Sequence, residues 1–148
     1  MFDDERANLQ PDSAVLVGAA QSVWDGSDAR LVVEIRATDK LRVSMGEFGI
    51  TPLERVYITD SDIRHIRKHH SSGERHRGQI DIVPDDFGHV PEILNDFDNC
   101  NHVDTDKLGN KKFELVKEIN DVYYVVTIQR GKKKLQVKTM WKRPGASC

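Results

Sequence analysis

The chain has 148 residues, 38% hydrophobic and 31% charged, with a formal net charge of −2; that describes one ordinary globular domain and makes no overall demand for a nucleic-acid partner. Its two cysteines, Cys100 and Cys148, fit no zinc spacing and are too few for a disulfide-stabilised miniprotein, so reduced thiols are expected. The acidic start Met1-Phe2-Asp3-Asp4-Glu5 is unlike a signal peptide and no apolar run approaches the roughly 20 residues of a membrane span, so neither a leader nor an anchor is expected in these residues.

Residues 1–12 read as a polar tail ending in Gln10-Pro11-Asp12, with Asp12 or Ser13 as the N-cap of a short apolar helix from Ala14 to Trp24. Asp25-Gly26-Ser27-Asp28 is turn chemistry. The run Leu31-Val32-Val33-Glu34-Ile35 predicts a strand, paired as a hairpin with Leu41-Arg42-Val43-Ser44-Met45 and broken by Gly46 and Gly49. This first third carries no functional motif. Residues 1–50 are expected to be an N-terminal extension packed on a domain of residues 51–148.

From residue 57 the signals sharpen. Tyr57-Ile58 leads into the cap candidates Thr59-Asp60-Ser61-Asp62, and a helix runs to about His70, where Ser71-Ser72-Gly73 ends it. Ile63 and Ile66 form its buried stripe with His70 on the same side, whereas Asp62, His65 and His69 share the adjacent flank. A second helical stretch, Pro84 to Asn95, is interrupted or restarted at Pro91 and carries Phe87, Val90, Ile93 and Leu94.

The last third reads as β: Lys112 to Glu118, a turn at Asn120-Asp121, Val122 to Ile128, a turn at Arg130-Gly131-Lys132, and Leu135 to Trp141. Helices followed by an antiparallel meander give an α+β fold, with helices on one face of a roughly four-stranded antiparallel sheet. Simple alternation puts Leu135, Val137, Thr139 and Trp141 on one face of the last strand, so Thr139 should face the helices if Leu135 and Val137 do.

Charge is unevenly distributed. Residues 122–148 hold no Asp or Glu but include Arg130, Lys132, Lys133, Lys134, Lys138, Lys142 and Arg143, whereas residues 85–106 are rich in Asp. On a helix His65 and His69 lie about 40° apart, so two imidazoles share one site. Arg64, Arg67, Lys68, Arg75 and Arg77 make its surroundings positive, which suits a phosphodiester.

An RNA-cleaving site without a metal needs one group to take the 2′-hydroxyl proton, another to give a proton to the leaving oxygen, and cations to hold the developing charge. His65 and His69 are the candidate acid and base. Arg64, Arg67, Lys68, Lys138 and the hydroxyl of Thr139 are candidates for phosphate oxygens, and Tyr123, Tyr124 or Trp141 for stacking on a base.

Each candidate also has a plain structural reading. A basic, histidine-rich helix is often a solvated face, His70 suits a helix end or a satisfied core position, and His76, His89 and His102 fall where solvent exposure explains them. Lys132, Lys133 and Lys134 on a hairpin tip serve solubility as readily as RNA contact, and Thr139 is an ordinary strand residue. A shared metal ion would suit the His65–His69 spacing, with Asp62 one turn earlier. Ile66, however, stands where zinc hydrolases place glutamate, and no third ligand follows at a known spacing.

The segments Ile58-Thr59-Asp60-Ser61-Asp62-Ile63-Arg64-His65-Ile66-Arg67-Lys68-His69, Ile80-Asp81-Ile82, Val90-Pro91-Glu92-Ile93-Leu94, Tyr123-Tyr124-Val125-Val126 and Leu135-Gln136-Val137-Lys138-Thr139-Met140-Trp141-Lys142 together resemble the phage-associated nuclease domains of the barnase, EndoU, colicin and RelE-like superfamily, over about residues 57–143. The resemblance implies a ribonuclease that needs no metal or other cofactor, with its active site in a groove between helices and sheet. Such domains occur in phage head-morphogenesis and polyvalent proteins and as toxin tips acting in the cytoplasm of a target cell. It further implies RNA, including tRNA, as substrate and an acidic immunity protein or antitoxin as partner. By position, His65 and His69 match the helix histidines and Thr139 a hydroxyl residue of the last strand. Two readings stand beside a toxin-type endoribonuclease: a non-enzymatic RNA- or protein-binding module on the same fold, and a metal-dependent hydrolase.

Overall fold

A computed structural model describes residues 2–50, 55–71, 78–131 and 134–145, with side chains from residue 13 onward. In chain order the elements are α1 (Phe2–Trp24), β1 (Val32–Arg36), α2 (Asp39–Glu47), β2 (Arg55–Thr59), α3 (Asp60–His70), a 3₁₀ helix (Pro84–His89), α4 (Val90–Asn95), β3 (Asn99–Thr105), β4 (Lys111–Ile119), β5 (Val122–Arg130) and β6 (Leu135–Pro144). The fold is α+β. Its sheet has six strands, not four, in the order β1-β2-β6-β5-β4-β3. The run from β3 to β6 is antiparallel, but β2 joins β6 in parallel, so the sheet is mixed.

Three expectations for the chain before residue 57 are corrected. Helix α1 starts at Phe2, so residues 2–12 continue the helix rather than forming a tail. Residues 39–47 are helix α2, not the second arm of a hairpin. Leu41 and Met45 fit either period, but at i and i+4 both are essentially fully buried while Val43 is 63% exposed, a helical pattern. The partner of β1 is β2, through Val33↔Ile58 and Ile35↔Val56.

Strand β3 went unpredicted because almost every residue in it is exposed, so it shows no apolar alternation. The β4–β5 turn is as expected: Asn120 and Asp121 take φ of 52° and 64°, the left-handed pair that a two-residue hairpin requires. Helix-ending Ser72-Gly73, basic Arg75 and Arg77, His76, Lys132, Lys133 and Cys148 lie outside the described residues.

One face of the sheet carries the core. Val33, Ile35, Val56, Ile58, Phe113, Leu115, Val126, Ile128, Leu135, Val137 and Met140 pack with Leu16, Ala20, Val23, Ile63, Ile66, Phe87, Ile93 and Leu94 from the helices. Each such aliphatic or aromatic side chain removed from water contributes about 1.5–3 kcal/mol before chain entropy is charged against it. Beneath the 3₁₀ helix, buried Asp86 accepts hydrogen bonds from Val83 N (2.8 Å), Tyr124 Oη (2.9 Å) and Lys142 Nζ (3.0 Å).

A bulge in β6 decides what faces the other way. Ile128 pairs with Val137, but Thr127 pairs with Thr139, so Lys138 is an extra residue with no partner opposite. The insertion resets the alternation: Met140 and Lys142 return to the core side, and Thr139 and Trp141 turn to the opposite face. The expectation that Thr139 shares a face with Leu135 and Val137 is thereby corrected.

Candidate active site

Helix α3 fills a gap along the edge of β6. Among the described residues strand β2 pairs with that edge at Leu135 and Gln136, and farther along Ile80 N donates to Lys142 O at 2.9 Å. Between these two attachments α3 packs on β6, with Ile63 and Ile66 fully buried and His65 and His69 exposed. Its start is fixed by a capping box. Thr59 Oγ1 accepts from Asp62 N at 3.3 Å, and Thr59 N donates to Asp62 Oδ2 at 3.0 Å. Acidic residues in the first turn and Arg67, Lys68, His69 and His70 in the last both suit the helix dipole.

The His65 and His69 rings lie 4.5 Å apart between centroids, inclined by 50°. Asp62, 5% exposed, ties this flank of α3 to the bulge of β6. Its Oδ2 accepts from Gln136 Nε2 at 2.7 Å and its Oδ1 lies 3.5 Å from Lys138 Nζ. Partial burial, then the neighbouring His69 and His70, hold the His65 imidazole below its ordinary pKa of 6.5; Asp62 opposes this and Lys138 adds to it. His65 therefore favours the neutral, proton-accepting form.

The expected arginines stand on the other flank. Arg64 binds the Asp60 carboxylate and donates to Ser27 O (3.1 Å) and Ala29 O (3.2 Å), closing the connection between α1 and β1. The Asp60 carboxyl is held below the usual carboxylate range by the Leu31 N–H, against the effect of burial and with help from Arg64. Arg67 Nη1 donates to Val23 O at 3.2 Å, and its guanidinium lies 5.8 Å from the Trp24 ring centre. Lys68 is exposed and shares a groove with Trp24, Arg64, Arg67 and Ser71. Among the described residues, Lys138 is the one expected cation brought to the histidine flank.

Tyr124 sits in the core, 6% exposed, its hydroxyl bonded to Asp86 and pushed well above the ordinary tyrosine range by burial and by that carboxylate. Tyr123, one residue earlier, faces the opposite side with the Arg143 guanidinium 4.9 Å from its ring centre. Trp141, half-buried, shares that face. Thr139 Oγ1 and the facing Thr127 Oγ1 are both buried with no hydrogen-bond partner among the described residues. The other described histidines have structural neighbours: His70 Nδ1 meets Gln79 Oε1 at 3.2 Å, His89 packs 5.0 Å from Tyr124, and His102 packs 5.5 Å from Phe113. Among the described residues, no three His, Cys, Asp or Glu side chains converge to hold a metal ion.

Residues 32–147 match the family model described as phage-Barnase-EndoU-ColicinE5/D-RelE like nuclease3. The chain belongs to this nuclease family. The match opens on the first residue of β1 and so takes in β1 and α2 as well as the histidine helix. No curated protein and no solved structure matches the chain. Within this nuclease domain, what sequence reasoning missed is the Asp62–Gln136–Lys138 link. Asp62 was visible as a capping residue, but its second set of partners comes from a strand 74 residues away, and local spacing carries no signal for that.

Proposed function

We propose that this nuclease domain is a toxin-type endoribonuclease that cleaves RNA, tRNA included, by attack of a 2′-hydroxyl on the adjacent phosphorus, without a metal ion. The observation that carries the reading is the His65–His69 pair, 4.5 Å apart on an exposed helix flank beside Lys138. In this scheme His65 takes the 2′-hydroxyl proton, the 2′-oxygen bonds to phosphorus, and the bond to the 5′-oxygen breaks. His69 gives that oxygen its proton, leaving a 2′,3′-cyclic phosphate and a 5′-hydroxyl. Lys138, and Thr139 once substrate reaches its hydroxyl, hold the nonbridging oxygens as charge builds on them. Tyr123 and Trp141 offer stacking surfaces on the same side of the sheet.

The test is incubation of the purified chain with total RNA and with tRNA, in EDTA and in Mg²⁺, alongside His65→Ala. Equal cleavage in both buffers, lost in the variant, is expected. Binding without cleavage would make the domain a non-enzymatic RNA module, and cleavage only with Mg²⁺ would make it a metal-dependent hydrolase. A cognate inhibitor in this scheme is an acidic protein laid over His65, His69 and Lys138, because opposite potentials speed association and exclude RNA together.

A further inference from the structure

Strand β1 ends the sheet on one side, and its hydrogen-bond register shows which main-chain groups point outward. Leu31 O accepts from Asp60 N at 3.1 Å, and Leu31 N donates to Asp60 Oδ1 at 3.0 Å. Leu31 thus bonds inward. In an antiparallel ladder Val33 and Ile35 do the same, which turns the N–H and C=O of Val32 and Glu34 away from β2. The chain before β1 keeps this alternation: Ser27 O and Ala29 O both accept from Arg64 Nη2 on the inner side, so Arg30 also turns its main chain outward. At the far end Asn95 Nδ2 donates to Arg36 O at 3.0 Å and closes the edge. The open stretch is therefore 30–34. A hollow of about 750 Å³, walled in part by Asp28, Arg30, Leu31 and Val32, lies against it.

Alternate side chains of this segment, Asp28, Arg30, Val32, Glu34 and Arg36, are all exposed, Val32 at 61%, and those of β1 leave the sheet on the face away from the helices. Unpaired main-chain groups on an outer strand are a template for another strand. The charges here run acidic, basic, apolar, acidic, basic, a pattern that complements itself in reverse. Turned end for end about Val32, Asp28 meets Arg36, Arg30 meets Glu34 and Val32 meets Val32. Neighbouring registers fail: centring on Leu31 sets Asp28 against Glu34, centring on Val33 sets Arg30 against Arg36, and centring on Glu34 sets that residue against its own copy. Opposite charges facing each other stabilise a strand pair and like charges destabilise it. Glu34 already holds Arg55, but a carboxylate has lone pairs enough for a second guanidinium.

We propose that this edge joins two copies of the chain: β1 pairs antiparallel with β1 of a second copy about a two-fold axis at Val32, and the two sheets become one. Val32 exchanges N–H···O bonds with Val32 of the second copy, and on either side of the axis Arg30 of one copy does so with Glu34 of the other. The two exposed Val32 side chains meet at the centre, flanked by the paired charges. A strand edge this short buries less than a standard protein interface, so the dimer is a weak one, with a dissociation constant on the order of 10 µM or above. No residue assigned to RNA cleavage takes part in the pairing.

The experiment is sedimentation equilibrium of the full chain at concentrations up to about 1 mM, where a monomer–dimer equilibrium is expected. Arg30→Glu and Glu34→Arg each set like charges opposite one another on both sides of the axis, and each should weaken the dimer by about tenfold or more. Mixed in equal amounts, the two variants should recover wild-type strength, because each substituted residue then faces the other and the native Arg30 and Glu34 that remain face each other. Val32→Lys, which brings two ammonium groups together at the axis, should give a monomer with the wild-type melting profile. Val32→Cys reads the register: Cα atoms of a bonded antiparallel pair lie about 5.5 Å apart, within reach of a disulfide. Mild oxidation should therefore give a covalent dimer that the wild-type chain does not form. A chain that stays monomeric throughout, a dimer that survives Val32→Lys, a mixture no tighter than either variant alone, or a Val32→Cys chain that does not cross-link overturns the proposal.

Discussion

His65 and His69 are exposed neighbours of one charge type, and the acid–base scheme proposed for them needs one imidazole neutral while the other carries the proton. Burial, His69, His70 and Lys138 depress the His65 pKa, while Asp62 raises it. A depressed histidine stays neutral to lower pH, so the rising limb of kcat/KM against pH for RNA cleavage is expected to have its midpoint below 6.5. Lys138→Ala removes a positive charge and should move that midpoint upward; Asp62→Asn removes a negative one and should move it downward. A limb centred above 7, or one unmoved by both substitutions, would contradict His65 as the base. His65→Ala and His69→Ala are each expected to lower kcat/KM by about two orders of magnitude or more, the usual loss for a general acid or base. His70→Ala should cost less, because that ring is half-buried and engaged with Gln79. An essential His70 with a dispensable His65 would reverse the assignment of the two helix flanks.

At the scale of elements, the site depends on the register of α3, which its capping box sets. Thr59→Ala removes the acceptor for Asp62 N and is expected to cost about 1 kcal/mol in urea denaturation. A change of under a few tenths would mean that packing of Ile63 and Ile66 alone fixes the helix. This helix was legible in the sequence because cap, apolar stripe and terminator agree, and the same holds for Phe87, Val90, Ile93 and Leu94 and for β4 to β6. The reading of residues 41–45 failed because alternation at Leu41, Val43 and Met45 is also helical spacing for its two ends. Thr139 was given the wrong face because one inserted residue at Lys138 reverses every position after it. The histidine pair could be seen from spacing alone, whereas the bond between Asp62 and Gln136 joins residues 74 apart in sequence, which no local pattern encodes.

For the whole molecule, the sheet divides the labour: helices and apolar side chains on one face, polar and aromatic side chains on the other. The division is pinned by Asp86, which holds the 3₁₀ helix to β5 and β6 through Tyr124 and Lys142. Asp86 is 4% exposed and the Lys142 side chain 12% exposed, so Asp86→Ala leaves a buried cation unpaired and is expected to cost roughly 3–5 kcal/mol. Adding Lys142→Met should recover much of that loss; no recovery would mean that the Tyr124 bond, not the ion pair, is what matters. RNA binding should divide in the same way. Lys138→Ala and Arg143→Ala are each expected to flatten the salt dependence of single-stranded RNA affinity by about 0.7 in the log–log slope. Arg67→Ala, tied to α1 through Val23, should leave the slope alone and lower the melting temperature. A slope changed by Arg67 and not by Lys138 would move the RNA to the α1 side.

The most direct measurement of the central claim is the chemical identity of the ends produced when the purified chain acts on a defined RNA oligonucleotide in EDTA, read by mass spectrometry. A 2′,3′-cyclic phosphate with a 5′-hydroxyl partner is expected, absent when the 2′-hydroxyl at the cut is replaced by hydrogen and absent with His65→Ala. Products ending in a 5′-phosphate, or cleavage that persists without the 2′-hydroxyl, would contradict catalysis by the His65–His69 pair as described.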